Sequence, residues 1–433
     1  MAISTLDELA RFVRASVDRQ PITDMHTHLY SPNMRDERGQ GLLLWGVDAL
    51  LTYHYLVAEV MRWSDVAPET FFGWPVEQQS ALIWQKLFVE HSPVSEAERG
   101  VLTSFKALGL NLASRDLPAY RAAFAGVSPE AQVQRALQLA NIAHVVMTND
   151  PFDDAERPFW LNGGTIQPEF HAALRIDPLL RGWAEAWPRL QGWGYQVDAD
   201  LGGNSVAEVQ RFLREWAART NPLYLAVSLP PDFTWPDGVD ASDPRASITV
   251  ASRMLAECIL PVCRAVDIPF AMMIGSERAV NPGLRLAGDA LGRSQLAFVA
   301  RLAREFPGNR FFVTVLSREN QHELIVLGRK FRNLMVFGCW WFMNNPVIIE
   351  DMTRMRMEML GTSFIPQHSD ARVLEQVIYK WTHSRGIIAK VLIDKYADVM
   401  ATGWQLEPTE IERDIADLLH DNFWRFCKRT PGV

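Results

Sequence analysis

Eight short apolar runs, most of them separated by segments long enough for a helix, constrain this chain more than any other feature. They are Ile22 to His28, Ile142 to Thr148, Phe170 to Ile176, Leu223 to Leu229, Pro269 to Gly275, Arg310 to Ser317, Leu334 to Trp341 and Ser363 to His368. Several are nearly continuous, as in Phe311-Phe312-Val313-Thr314-Val315-Leu316. A strand with one face in water alternates apolar and polar residues, whereas a strand of a parallel sheet covered on both faces reads as one apolar run. Between the runs lie amphipathic segments such as Ser294 to Glu305 and Glu319 to Lys330. The alternation predicts an α/β fold, a (β/α)8 barrel of the TIM type.

Three stretches modify that plan. Ser31 to Leu139 is too long for one crossover helix and reads as a helical insertion after the first strand, with a capping box at Ser95-Glu96-Ala97-Glu98. Asp177 to Asn221 also reads as helical, and more helices follow Asp370, with Thr409-Glu410-Ile411-Glu412 as a second capping box. No repeat, low-complexity tract or linker interrupts the chain. Residues 1–433 are therefore expected to form a single barrel unit with residues 31–139 inserted in it.

At 48% hydrophobic and 22% charged residues the composition is that of a globular enzyme with a deep core. The net charge of −8 argues against a nucleic-acid surface and gives no general pull on anions. The cysteines Cys258, Cys263, Cys339 and Cys427 show no paired spacing, so neither a zinc knuckle nor a disulfide framework is expected. The N-terminal residues lack the basic start and apolar core of a signal peptide, and no apolar run approaches the ~20 residues of a membrane span. A cytoplasmic protein without membrane or nucleic-acid partners is the expectation.

Barrel sites form where strand C-termini meet the following loops, which directs the search for chemistry. The first run carries Asp24-Met25-His26-Thr27-His28, and two histidines at i, i+2 on extended chain share a face. The last run leads into Ser369-Asp370-Ala371-Arg372. In a closed barrel the first and last strands are neighbours, so His26, His28 and Asp370 would meet and could hold one divalent metal; a structural role for the histidines is the competing reading. Arg175, Arg278, Arg318 and Arg372 follow other strands. Four arginines aimed at one rim of an acidic protein suit a carboxylate or phosphate, although each could be a rim ion pair. Trp340 and Trp341 are adjacent, so on a regular strand at most one faces the pocket. Asn344 and Asn345 follow them. His54 and Tyr55 lie on a helical segment where packing is the simpler role. Asp150, Asp153 and Asp154 read most simply as caps of the next helix.

Taken together, Asp24-Met25-His26-Thr27-His28-Leu29, Leu51-Thr52-Tyr53-His54-Tyr55-Leu56, Thr148-Asn149-Asp150-Pro151-Phe152-Asp153-Asp154, Leu174-Arg175-Ile176-Asp177, Cys339-Trp340-Trp341-Phe342 and Ser369-Asp370-Ala371-Arg372 resemble the motifs of uronate (glucuronate) isomerases, members of the amidohydrolase superfamily. The resemblance runs in order through nearly the whole chain. It implies a distorted (β/α)8 barrel and interconversion of D-glucuronate with D-fructuronate or D-galacturonate with D-tagaturonate; a homo-oligomer is a separate expectation. It makes His26, His28 and Asp370 the metal residues, and Asp370 also the proton-transfer carboxylate. His54 and Tyr55 become pocket residues, Arg175 and Arg372 substrate binders, and Trp340 or Trp341 a pocket wall. The sequence departs from the family pattern at Met273, which stands where a fifth-strand histidine is expected, and at Ser228-Leu229-Pro230-Pro231-Asp232, where an Asp-His pair is common. A thioether is a poor ligand for a hard divalent ion, so the implied metal, zinc in the first instance, is expected to be weakly held or absent.

Aldose–ketose isomerisation moves a proton between C1 and C2 through a cis-enediol. It needs a base at that proton and a donor at the carbonyl oxygen. Asp370 is the expected base, Tyr55 or His54 the donor, and Arg175 or Arg372 the grip on the C6 carboxylate. The alternative is a metal-dependent hydrolase or decarboxylase of the same superfamily acting on a small carboxylated substrate. That chemistry wants a fuller ligand set than these strands offer, with Arg318 after the sixth and His322 only in the next helix.

Overall fold

A computed structural model describes residues 3–236 and 249–431. Seven strands form one parallel sheet in chain order. They are β1 (Ile22–Asp24), β2 (Ile142–Asn149), β3 (Phe170–Arg175), β4 (Leu225–Leu229), β5 (Phe270–Ile274), β6 (Phe311–Val315) and β7 (Leu334–Val336). Every pair between neighbours is parallel, with Val227 beside Met272 and Met272 beside Val313 in register. The all-buried patterns of β4, β5 and β6 match the continuous apolar runs of the sequence.

Two-residue periodicity sorts these strands into two cores. Leu225, Val227, Phe270, Met272, Phe311 and Val313 face outward into the large cluster shared with the surrounding helices. Ala226, Ala271, Met273 and Phe312 face inward, into a second cluster with Met25, Val146, Ala173 and Phe337. The sheet is therefore curled, with an interior of its own, as in a TIM-like barrel. Phe423, Trp424 and Cys427, from the C-terminal helix Asn422–Cys427, belong to the interior cluster.

The eighth expected run does not form a strand. Ile365 makes a single bridge to Phe337. The segment nevertheless touches both sheet edges through backbone hydrogen bonds. The Ile365 N–H donates to Val336 O at 3.0 Å and Gly338 N–H to Ile365 O at 2.8 Å; on the other side Asp370 N–H donates to His26 O at 3.2 Å and His28 N–H to Ala371 O at 2.7 Å. Pro366 lacks an N–H and Asp370 turns into the left-handed region at φ 54°, so a regular ladder cannot continue. The seventh run is also cut short. β7 ends at Val336 because Gly338 takes φ 63° where the ring of His368 presses on its backbone; a Cβ there would lie 1.8 Å from His368 Nδ1.

Seven α-helices from Val47–Leu51 to Pro129–Ala140 lie between β1 and β2, with the expected capping box at Ser95 and Glu98 in place. The long helix Gln376–Ala401 packs against helices Leu6–Arg19, Pro346–Leu360 and Glu96–Ala107. One cap was misread from sequence. Glu407, not Thr409, caps the helix beginning at Pro408, because proline suits the first helical position and Glu410 then stands three residues after the cap. All four cysteines are free and buried. Among the described residues no helix is long and apolar enough to cross a membrane.

Candidate active site

The carboxyl ends of the strands surround a small, partly open cavity of about 30 Å³. His26 and His28 come from the chain just after β1, and Asp370 from the irregular eighth segment. One ligand-type atom from each lies within 4.8 Å of the others. Asp370 Oδ1 stands 3.4 Å from His28 Nε2 and 3.7 Å from His26 Nε2, and it is buried without a hydrogen-bond partner. Atoms about 2.1 Å from one ion at a tetrahedral angle would be about 3.4 Å apart, so this donor set fits a divalent cation.

Tyr224 fixes the tautomer of His26. Its hydroxyl donates to Met25 O at 2.7 Å, so toward His26 Nδ1, 3.2 Å away, the oxygen acts as acceptor. His26 therefore carries its proton on Nδ1 and turns the Nε2 lone pair to Asp370. Burial pulls the His26 imidazole down to about 3 and pulls His28 well below the usual histidine range. Both rings are neutral, the form a metal requires. Behind them the buried Asp24 carboxylate accepts from Ser369 N–H and Trp381 Nε1–H, both at 2.9 Å, tying the first strand to the eighth segment and the long helix. Met273 lines the cavity on the β5 side and brings a thioether instead of an imidazole.

His54 opens helix His54–Val60 and lines the cavity. Trp341 Nε1–H donates to its Nε2 at 3.1 Å, which leaves the His54 proton on Nδ1, buried and without a protein partner. Burial, then the nearby Arg372, keeps this ring neutral as well. Tyr55 does not line the cavity. It lies behind His54, stacked on Phe342 with ring centres 6.1 Å apart and with Lys380 Nζ 5.5 Å from its ring centre.

The four arginines separate by their partners. Arg175 is locked to Asp177 by two hydrogen bonds, 2.8 and 3.2 Å. Arg278 pairs with Asp289 at 2.5 Å and sits 5.3 Å over the Trp341 ring. Arg372 lines the cavity with no carboxylate partner among the described residues. Arg318 is not at the site: it is 63% exposed and paired with Asp351 outside it.

Trp340 and Trp341 both line the cavity, against the expectation that only one could. Strand pleating does not govern them, because β7 has ended and Trp341 adopts φ 50° in a short 3-10 turn. None of Asp150, Asp153 and Asp154 is the N-cap of the next helix, Arg157–Leu161, a position that falls to Glu156. Asp150 accepts from Phe152 N–H at 2.8 Å in a turn, Asp153 from Ala155 N–H at 2.8 Å and Glu156 N–H at 3.2 Å just ahead of the helix, and Asp154 pairs with Arg189. Sequence reading missed Tyr224, whose hydroxyl sits inside an apolar run, and Leu286. Leu286 comes from a loop held by the two-stranded hairpin Ser276–Glu277 and Ala290–Leu291. Together with His54 and Arg372 it lines both this cavity and a neighbouring apolar one of about 380 Å³.

The fold and site define a parallel-sheet α/β protein whose polar side chains gather at the strand C-termini around a two-histidine, one-aspartate donor set. No family model matches the chain, and no curated protein matches it. Among solved structures, a uronate isomerase from Bacillus halodurans C-125 is 55% identical, covering 100% of this chain and 99% of that one, with a TM-score of 0.95. A glucuronate isomerase from Caulobacter crescentus is 16% identical with coverages of 99% and 97% and a TM-score of 0.75. A uronate isomerase from Thermotoga maritima is 14% identical with coverages of 98% and 100% and a TM-score of 0.74. The last two likenesses speak to the fold alone. The first establishes that this chain belongs to the uronate isomerase family.

Proposed function

We propose that this protein interconverts an aldose uronate and its 2-keto isomer, D-glucuronate with D-fructuronate or D-galacturonate with D-tagaturonate. The observation that carries the reading is the meeting of His26, His28 and Asp370 on one cavity beside Arg372, which has no carboxylate partner among the described residues. In the aldose direction Asp370 takes the proton from C2 and returns it to C1. The Nδ1–H of His54 gives its proton to O1, and the ring recovers one from the O2 hydroxyl, so the carbonyl moves with no net loss of protons. Arg372 holds the C6 carboxylate as a charged fork. Arg175 and Arg278, each already beside a carboxylate, shape the rim with Trp340 and Trp341. Tyr55 supports His54 from behind.

His26, His28 and Asp370 would hold a divalent ion, zinc in the first instance, which when bound supplies Lewis acidity toward a substrate oxygen. The same reading takes Ser363 to His368 as the eighth stave of a (β/α)8 barrel, and residues 31–139 as an insertion within a single unit spanning 1–433. It takes the working protein as a cytoplasmic homo-oligomer whose partner is the sugar acid, with no nucleic acid or membrane involved. The hydrolase alternative has less support, since β5 offers Met273 and Arg318 lies away from the cavity.

NMR of D-glucuronate and D-galacturonate incubated with the protein, with and without added zinc, is expected to show ketose growing at the expense of the aldose. Absence of ketose from both sugars after hours at high protein concentration refutes the reading. Asp370→Asn should abolish turnover and leave uronate binding intact, and retained turnover in that variant removes Asp370 as the base.

A further inference from the structure

The Asp370 carboxylate owes its placement to an unusual backbone. At φ 54° it sits in the left-handed region, where aspartate is tolerated but not favoured. Its flanking peptide groups are held from two sides. On the β1 side, Ser369 N–H donates to Asp24 at 2.9 Å and Asp370 N–H to His26 O at 3.2 Å. These bonds fix N–H groups only. The two carbonyls that lead into Asp370 are held by one side chain. Asn344 Nδ2 donates to His368 O at 3.2 Å and to Ser369 O at 3.0 Å.

Asn344 is itself immobilised. It is 3% exposed, and its Oδ1 accepts from Gln367 Nε2 at 2.9 Å. Its backbone carbonyl accepts from the buried Lys380 ammonium at 3.2 Å, and Lys380 in turn pairs with Glu96 at 3.0 Å. All its side-chain hydrogen-bonding capacity points at the segment before Asp370. From this geometry we infer that Asn344 is a positioning residue for the reaction: it sets the direction in which Asp370 presents its carboxylate to the sugar. The inference rests on Asp370 being the base. It assigns a function to a residue that touches neither the metal set nor the cavity.

The adjacent asparagine supplies the control. Asn345 caps helix Pro346–Leu360, its Oδ1 accepting from Ile348 N–H at 3.2 Å, and it makes no bond to the Asp370 segment. Asn344→Ala in the full-length protein should lower kcat on the order of 10–100-fold, the penalty for a base displaced by about 1 Å. KM should stay within about threefold, because the arginine grip is untouched. Asn344→Ser retains one donor and should fall between the two. Asn345→Ala should lower the melting temperature and leave kcat at the wild-type value. Asp370→Asn, run alongside, separates the two layers of the argument. If Asp370→Asn is inactive but Asn344→Ala and Asn344→Ser turn over at the wild-type rate, the positioning role is wrong and the base assignment stands. If Asp370→Asn turns over, the base assignment itself has failed. Equal kcat losses in the Asn344 and Asn345 variants that track their melting temperatures would reduce Asn344 to a structural residue and also overturn the inference.

Discussion

Removing the guanidinium of Arg372 should cost substrate binding far more than removing that of Arg175, although sequence alone treats them alike. Arg372 faces the cavity without a carboxylate beside it, whereas Arg175 is bound through Nε and Nη2 to Asp177 at 2.8 and 3.2 Å. A hydrogen bond to a charged group contributes roughly 1.5–3 kcal/mol, so loss of a two-pronged carboxylate grip, each prong taken in the lower part of that range, amounts to about 3–4 kcal/mol. At 1.4 kcal/mol per decade this predicts a KM for the uronate raised about 10²–10³-fold in Arg372→Ala. Arg372→Lys, which keeps the charge and loses the fork, should fall between. In Arg175→Ala most of the penalty should appear as lost stability, because among the described residues Asp177 is left with only Arg181 at 3.6 Å and the Ser228 N–H at 3.3 Å. Steady-state kinetics on glucuronate and on glucose, which lacks the carboxylate, provides the assay. Arg372→Ala should erase the preference for the acid, and Arg175→Ala should largely keep it. An unchanged preference in Arg372→Ala, with the preference lost in Arg175→Ala, would refute the rule that the unpaired arginine is the one that binds.

Three further outcomes follow from the geometry. Tyr224→Phe removes the oxygen that faces His26 Nδ1, and zinc titration by calorimetry should show affinity lowered about 10–100-fold with the ligands themselves intact. Glu59, half-buried near Glu98 and Glu96 and receiving a bond from Ser95 at 2.8 Å, is pushed up to about 7, chiefly by desolvation. Its folded-state value lies above the unfolded one, so its contribution to stability is complete below about pH 4.5 and is lost as pH rises through 7; Glu59→Gln should be more stable than wild type at pH 8 by on the order of 1–3 kcal/mol in urea unfolding, with the gain vanishing near pH 4. Gly338→Ala sets a methyl 1.8 Å from His368 Nδ1 at a φ of 63° and should cost at least about 2 kcal/mol; wild-type stability would mean that the eighth segment is free to move away.

The strand plan was legible because burial on both faces leaves a continuous apolar signature: six of the seven strands of the sheet fall inside runs visible in the sequence, and β2 exceeds its run by Asn149 alone. What failed was where those runs stop. Leu334 to Trp341 looks uniformly apolar, yet the ladder ends at Val336, since close contact between Gly338 and the His368 ring bends the chain. That bend, invisible to a periodicity argument, is also why Trp340 and Trp341 can both reach the cavity. The pairing of Ser363 to His368 was overestimated for a related reason: a proline and a left-handed aspartate break its hydrogen bonding, and only Ile365 bridges.

Residue chemistry reads well from sequence, and the state of that chemistry does not. Arg175, Arg278, Arg318 and Arg372 all follow strands, and nothing in their spacing says which positive charge is already neutralised. The answer lies in Asp177, Asp289 and Asp351; the last two come from other segments and are placed by the fold. The same holds for the imidazoles. His26 and His28 announce themselves by their spacing, but the proton on His26 is assigned by Tyr224, 198 residues away, and the one on His54 by Trp341, 287 residues away. Both partners sit within apolar runs, where an aromatic residue reads as packing. A ligand set can therefore be legible when the groups that tune it are not. The tuning groups decide whether His54 can donate, whether His26 offers a lone pair, and which arginine remains free for a sugar acid.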